Sequence, residues 1–242
     1  GAGGGNGDGF PDLLIGAPCQ DTRGDDSGAG YPCLGGPDAD DVGDLRVSGE
    51  CPDDQFASTV SSAGDVNGDG YCDWMAGAFL HDQPALEAGR VYLYFGGETL
   101  DGVADLVFEG ENALDRFGSS ISSLGDFDGD GYHDIAVGAY QADPGGNNSG
   151  AAYVFLGGPD MDTVPDLVLS GVDEYDEFGS VVANVGDLDG DGHPDMAVGA
   201  KFADGGVDFA GDVSVYLGGP DFDGTPDLLV GGETAFDHFG AA

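Results

Sequence analysis

Oxygen-bearing side chains recur at every second position in three short stretches of the chain. They are Asp65-Asn67-Asp69 followed by Asp73, Asp126-Asp128-Asp130 followed by Asp134, and Asp187-Asp189-Asp191 followed by Asp195. Alternate side chains of such a loop point inward together, so each stretch aims several oxygens at one place. Without a cation those carboxylates would repel one another. Calcium takes six to eight hard oxygen ligands at about 2.3–2.6 Å and accepts backbone carbonyls among them. The carbonyls of Tyr71, Tyr132 and His193 are the expected backbone contributors, and Gly70, Gly131 and Gly192 permit the tight turn. Magnesium fits less well, because it keeps several of its waters. An EF-hand would need a Glu at position twelve and flanking helices; here an Asp stands at position nine and an apolar run follows. A fourth stretch places Gly4, Asn6, Asp8 and Asp12 at the same four positions, one carboxylate short. The expectation is three strong calcium sites and a fourth that is weaker or empty.

The elements that must hold these loops follow from an internal repeat. The Gly-Asp-Gly tripeptide centres on Asp8, Asp69, Asp130 and Asp191, and Phe56, Phe117, Phe178 and Phe239 keep the same interval of 61 residues. In one unit, Phe117 to Leu124 reads as a first strand, and the acidic loop 126–134 follows it. Ile135 to Ala139 reads as a second strand, Ala151 to Leu156 as a third and Asp166 to Leu169 as a fourth, with Gly, Asn, Asp and Pro between them. Four short antiparallel strands per unit describe one blade of an all-β β-propeller. The single domain 1–242 then holds four blades, approximately 239–242 plus 1–49, 56–110, 117–171 and 178–232. Strands from both termini would complete one blade and close the ring. The alternative is a stretch of a longer propeller with more blades.

Composition narrows the function. The 242 residues carry 47 Asp and Glu against five Lys and Arg, a formal net charge of −42. Nucleic acid needs clustered basic residues, so it is excluded as a partner, and an anionic membrane surface is disfavoured for the same reason. Apolar runs are short, Val91 to Phe95 among the longest, which rules out membrane insertion by a helix. Hydrophobic residues at 40% and aromatics at 10% still allow a folded core. The acidity also fits a salt-rich habitat. No initiator Met or signal-peptide pattern is present, so the residues read as a mature or excised piece. Cys19, Cys33, Cys51 and Cys72 allow three pairings, of which Cys19–Cys33 and Cys51–Cys72 are preferred, in an oxidising compartment.

Phe117-Gly118, the Asp126 to Asp134 loop and Val137-Gly138-Ala139-Tyr140 together resemble the FG-GAP repeat of integrin α-subunit propellers. Phe178-Gly179 with Val198-Gly199-Ala200, Phe56-Ala57 with Ala76-Gly77-Ala78, and Ile15-Gly16-Ala17-Pro18 carry the same motif or part of it. The resemblance implies a calcium-stabilised propeller with each calcium loop between the first two strands of a blade. It also implies work outside the cell, secreted or at the cell surface, in adhesion, ligand binding or as a module of a larger protein.

No nucleophile elbow, phosphate-binding loop or dinucleotide fingerprint is present, and nearly all the clustered carboxylates are taken by the loops. The leading reading is therefore a non-catalytic recognition module that binds a protein or glycan on one loop face. A calcium-dependent lectin and a module attached to a hydrolase are the rivals, and self-association follows if the ring stays open. Arg23-Gly24-Asp25 reads as incidental in so Gly- and Asp-rich a chain. His133, at the eighth loop position where Cys72 and Pro11 stand in sister repeats, and His193 are read as solvent-facing spacers, apart from the His193 carbonyl. Tyr92, Tyr94, Phe95, Tyr153, Phe155 and Tyr216 read as core between blades rather than a sugar platform.

Overall fold

The computed structural model describes residues 4–37, 43–204 and 209–241, and among them every regular element is a β-strand. Blade one holds β1 (Leu13–Ala17), β2 (Ala29–Cys33) and β3 (Val47–Ser48). Blade two holds β4 (Thr59–Gly64), β5 (Asp73–Ala78), β6 (Arg90–Tyr94) and β7 (Leu106–Glu109). Blade three holds β8 (Ser120–Gly125), β9 (Asp134–Ala139), β10 (Ala151–Phe155) and β11 (Leu167–Ser170). Blade four holds β12 (Phe178–Gly186), β13 (Asp195–Ala200), β14 (Asp212–Tyr216) and β15 (Leu228–Gly231). Each sheet is an antiparallel meander in chain order, three of them four-stranded and the first three-stranded.

The sequence explains the layering. Strands β5 and β9 are apolar after their opening Asp and buried at every residue, since neighbouring blades cover both faces. Where blades one and two meet, Val47, Phe56, Trp74, Tyr92 and Tyr94 form the core. Met75, Leu93, Phe108, Phe117, Ile135 and Phe155 fill the next interface, and Leu124, Phe127, Phe178, Met196, Val198 and Tyr216 the last. The third-strand aromatics are thus core, as their alternation predicts.

The first strands of blades two to four lie side by side, β4 against β8 and β8 against β12, and β1, the counterpart of β5, packs on β4. A short parallel bridge reinforces each step: Gly28 to Phe56, Gly89 to Phe117 and Gly150 to Phe178. The Phe that opens each repeat thereby docks on the blade before it.

Closure of the ring by the two termini is not found among the described residues: the sheets form an open arc, and there β1 has only β2 as a strand partner. The last motif repeats the docking of the earlier ones. Phe239 N donates to the Ala210 carbonyl at 2.8 Å, and Gly240 lies against Gly199, so the last motif stays on blade four. Phe10, Leu13 and Ile15 are exposed at one end of the arc, and Leu228, Val230, Phe236 and Phe239 at the other.

The preferred cysteine pairs also fail. Leu13 opposes Cys33 and Ala17 opposes Ala29, so Cys19, beyond Ala17, and Cys33 sit at opposite ends of the hairpin. Five residues of strand separate those ends by more than about 13 Å, against the under-7 Å Cα reach of a disulfide. Cys51 precedes β4 and Cys72 follows its far end, which parts that pair in the same way. Cys19, Cys51 and Cys72 carry free thiols.

Candidate metal centres

The loop at 4–12 leads into β1, and each of the acidic loops after β4, β8 and β12 joins the first and second strands of a blade. A register shift in the first strand, between Ser62 and Gly64, Ser123 and Gly125, or Asn184 and Gly186, turns the chain into it. The glycine of that shift takes a left-handed conformation, with φ between 76° and 78° in all three.

Within the loops the ligand side chains are oriented by backbone N–H groups. Asp65 Oδ1 accepts from Gly68 N at 2.7 Å and Oδ2 from Gly70 N at 2.9 Å. Asp187 accepts in the same way from Gly190 N at 2.7 Å and Gly192 N at 3.0 Å, and Asp126 from Gly131 N at 3.1 Å. Position-three oxygens accept from the N–H of position five: Asn67 from Asp69 at 2.9 Å, Asp128 from Asp130 at 3.0 Å and Asp189 from Asp191 at 3.1 Å. Position-five carboxylates accept from Tyr71, Tyr132 and His193 N at 2.8–2.9 Å.

The position-nine acids are the most deeply set. Asp73, Asp134 and Asp195 are buried. One oxygen of each accepts from the N–H of position two (Val66, Phe127, Leu188), and the other from a glycine after the third strand (Gly96, Gly157, Gly218), all at 2.6–2.9 Å. They tie the loop to the blade. Burial pushes Asp73 and Asp134 up to about 7, against the opposing effect of those same N–H bonds.

Asp126, Asp128 and Asp130 converge so that one oxygen of each lies within 4.8 Å of the others, and so do Asp187, Asp189 and Asp195. In the loop after β4, Asn67 stands for one acid, and its amide donates to Asp69 Oδ2 at 3.0 Å. The first loop keeps the frame: Asp12 accepts from Gly5 N at 2.7 Å and Gly35 N at 2.8 Å, and Asp8 from Phe10 N at 2.9 Å. At its first position the Gly4 carbonyl accepts from Gly7 N at 3.1 Å, where Asp187 uses its side chain. All the ligand positions anticipated from spacing thus lie on four like loops. Hard oxygens in this number, without sulfur or imidazole nitrogen among the converging acids, suit a calcium-like ion.

The histidines are not solvent-facing spacers. His193 occupies the place of Tyr132 and Tyr71, and all three rings lie over a position-four glycine of the preceding loop, Gly129, Gly68 and Gly7. His133 lies over Gly64, and its N–H donates to the Asp65 carbonyl at 3.1 Å. Neighbouring loops therefore touch from blade to blade. The spacing of Tyr71, Tyr132 and His193 carried that signal, but the partner glycine sits one repeat away.

Residues 117–155 and 178–216 each match the FG-GAP repeat family. Integrin alpha-5 of Xenopus laevis is 40% identical over 173 residues, 65% of this chain and 16% of that protein. Integrin alpha-IIb of Homo sapiens is 39% identical over 164 residues, again 64% of this chain and 16% of the relative. Phosphatidylinositol-glycan-specific phospholipase D of Bos taurus is 35% identical over 159 residues, 60% of this chain and 18% of that enzyme. The chain therefore spans less than a fifth of the length of each of these relatives.

Proposed function

We propose that this chain, which carries FG-GAP repeats, is a calcium-loaded recognition module that works outside the cell and catalyses no reaction itself. The observation that carries the reading is the convergence of Asp126, Asp128 and Asp130, and of Asp187, Asp189 and Asp195, on loops whose backbone N–H groups already aim those oxygens. Calcium would be held by Asp65, Asn67, Asp69 and Asp73, by Asp126, Asp128, Asp130 and Asp134, and by Asp187, Asp189, Asp191 and Asp195. The carbonyls of Tyr71, Tyr132 and His193 would complete these sets, and Asn6, Asp8 and Asp12 would make a weaker fourth. The ion would neutralise carboxylates that otherwise repel, and so rigidify one end of every blade. The likeness to integrin α-subunits supports a surface or secreted setting and a protein ligand. The glycan alternative has no comparable support.

Melting in millimolar calcium and after chelation, at fixed ionic strength, tests the reading. Ions that bind only the folded state raise the midpoint by mass action, so several filled sites raise it by many degrees. An unchanged midpoint would sink the proposal. The likeness to a phospholipase D favours one second reading, a module that accompanies a hydrolase domain on a longer chain.

A further inference from the structure

The three interfaces between blades are built on one plan, yet among the described residues it is the last that holds a cavity of about 530 Å3. Equivalent positions explain why. Between blades one and two the space is filled by the chain's own nitrogen bases. Arg90 Nη1 lies 2.9 Å from Glu50 Oε2, its Nη2 bonds Glu109, and its guanidinium stands 5.9 Å from the centre of the Tyr92 ring. Beside it the buried His81 brings Nδ1 within 2.9 Å of the buried Asp54. Two repeats later Asp212 replaces Arg90, Ser214 replaces Tyr92 and Ala203 replaces His81, while Asp176 keeps the place of Asp54. Three bulky groups are gone, the cationic Arg90 among them, and one acid has been added. These four residues all line the cavity, with Val172, Leu229 and Tyr216 among its apolar walls.

Asp212 is 9% exposed, and its Oδ1 has no hydrogen-bond partner among the described residues. A buried carboxylate oxygen left so is costly unless something satisfies it. We propose that this cavity binds a small organic cation, a guanidinium or alkylammonium group on a short apolar stem, with Asp212 and Asp176 facing its charge. The site lies apart from the acidic loops, at the other end of β14's blade, and it does not depend on their metal. Arg90 displays the fitting chemistry within the same molecule: a guanidinium that reaches its position on an aliphatic stem past an aromatic ring. Burial, and then the charges of Asp173, Asp204 and Asp212, push Asp176 up to about 6, as expected for acids crowded together with no counterion.

The test is calorimetric and ligand-observed NMR titration of the full chain, in calcium, with n-butylguanidinium. N-acetyl-arginine methylamide serves as a second probe and n-pentanol as the neutral one. The expected Kd for n-butylguanidinium is about 1 mM or tighter, given its few heavy atoms. Asp212→Asn weakens it at least about tenfold through loss of a charge-assisted bond. Ser214→Tyr, which restores the ring found in the sister blades, abolishes it while leaving the melting midpoint unchanged or raised. Binding of the arginine derivative as well assigns the site to a peptide side chain, and binding of butylguanidinium alone to a free cation. No binding of either cation, equal binding of pentanol, or indifference to both substitutions overturns the proposal.

Discussion

Asp73 and Asp134 carry the sharpest prediction at the scale of single residues. Each is buried, each accepts two backbone N–H groups, and each is pushed up to about 7 in the folded chain. An acid whose folded pKa lies above its unfolded value binds more protons in the folded state, so folding loses stability as pH rises between the two. Metal-free protein is therefore expected to melt higher at pH 5 than at pH 7.5. Calcium needs the ionised acids, so its stabilising effect grows over the same range. Melting curves across pH, with and without calcium, check both slopes. A chelated protein that gains stability towards pH 7.5 would contradict the assignment. Asp134→Ala is expected to remove one site's share of the calcium shift and to lower the metal-free midpoint, because two N–H groups lose their acceptor.

The elements depend on close approach between consecutive blades. Gly150 takes φ of 84°, and a Cβ there would collide with the Phe178 carbonyl. Gly131 takes a similar φ, 99°, with open space around it. Gly150→Ala is thus expected to cost roughly 3 kcal/mol or more, and Gly131→Ala roughly 1 kcal/mol from backbone strain alone. Urea denaturation of the two variants separates clash from strain; equal losses would refute the tight docking. Most of this level was readable beforehand. The 61-residue period fixed the strands to within a few residues, because turn chemistry and apolar runs recur together at Ile135–Ala139 and its sisters. The ligand loops were readable too, since their side chains act locally. Cys19 and Cys33 were misread because proximity in sequence says nothing about which end of a hairpin a residue occupies. His133 and His193 were misread because the glycines they cover belong to another repeat.

For the whole molecule, the open arc leaves two unlike apolar ends. Phe10, Leu13 and Ile15 belong to a face that later blades bury against a predecessor, and Leu228, Val230 and Phe239 to a face that earlier blades bury against a successor. Such ends complement each other head to tail. The isolated chain is expected to associate with rising concentration, and more so in molar salt, which screens the −42 net charge. Leu228→Lys should return it to monomer. Sedimentation velocity over a wide concentration range measures this, and a monomer throughout would count against it. Closure was beyond the sequence because Phe239-Gly240 docks on blade four in an open arc as it would in a closed ring.

The docking of each opening Phe on the blade behind it means that the repeating unit of sequence and the repeating unit of structure are out of phase. A unit copied or lost in a gene would carry half of two interfaces and restore both. Blade number can therefore change by duplication without any new contact being invented, and relatives of different circumference are open to one another by a single recombination step.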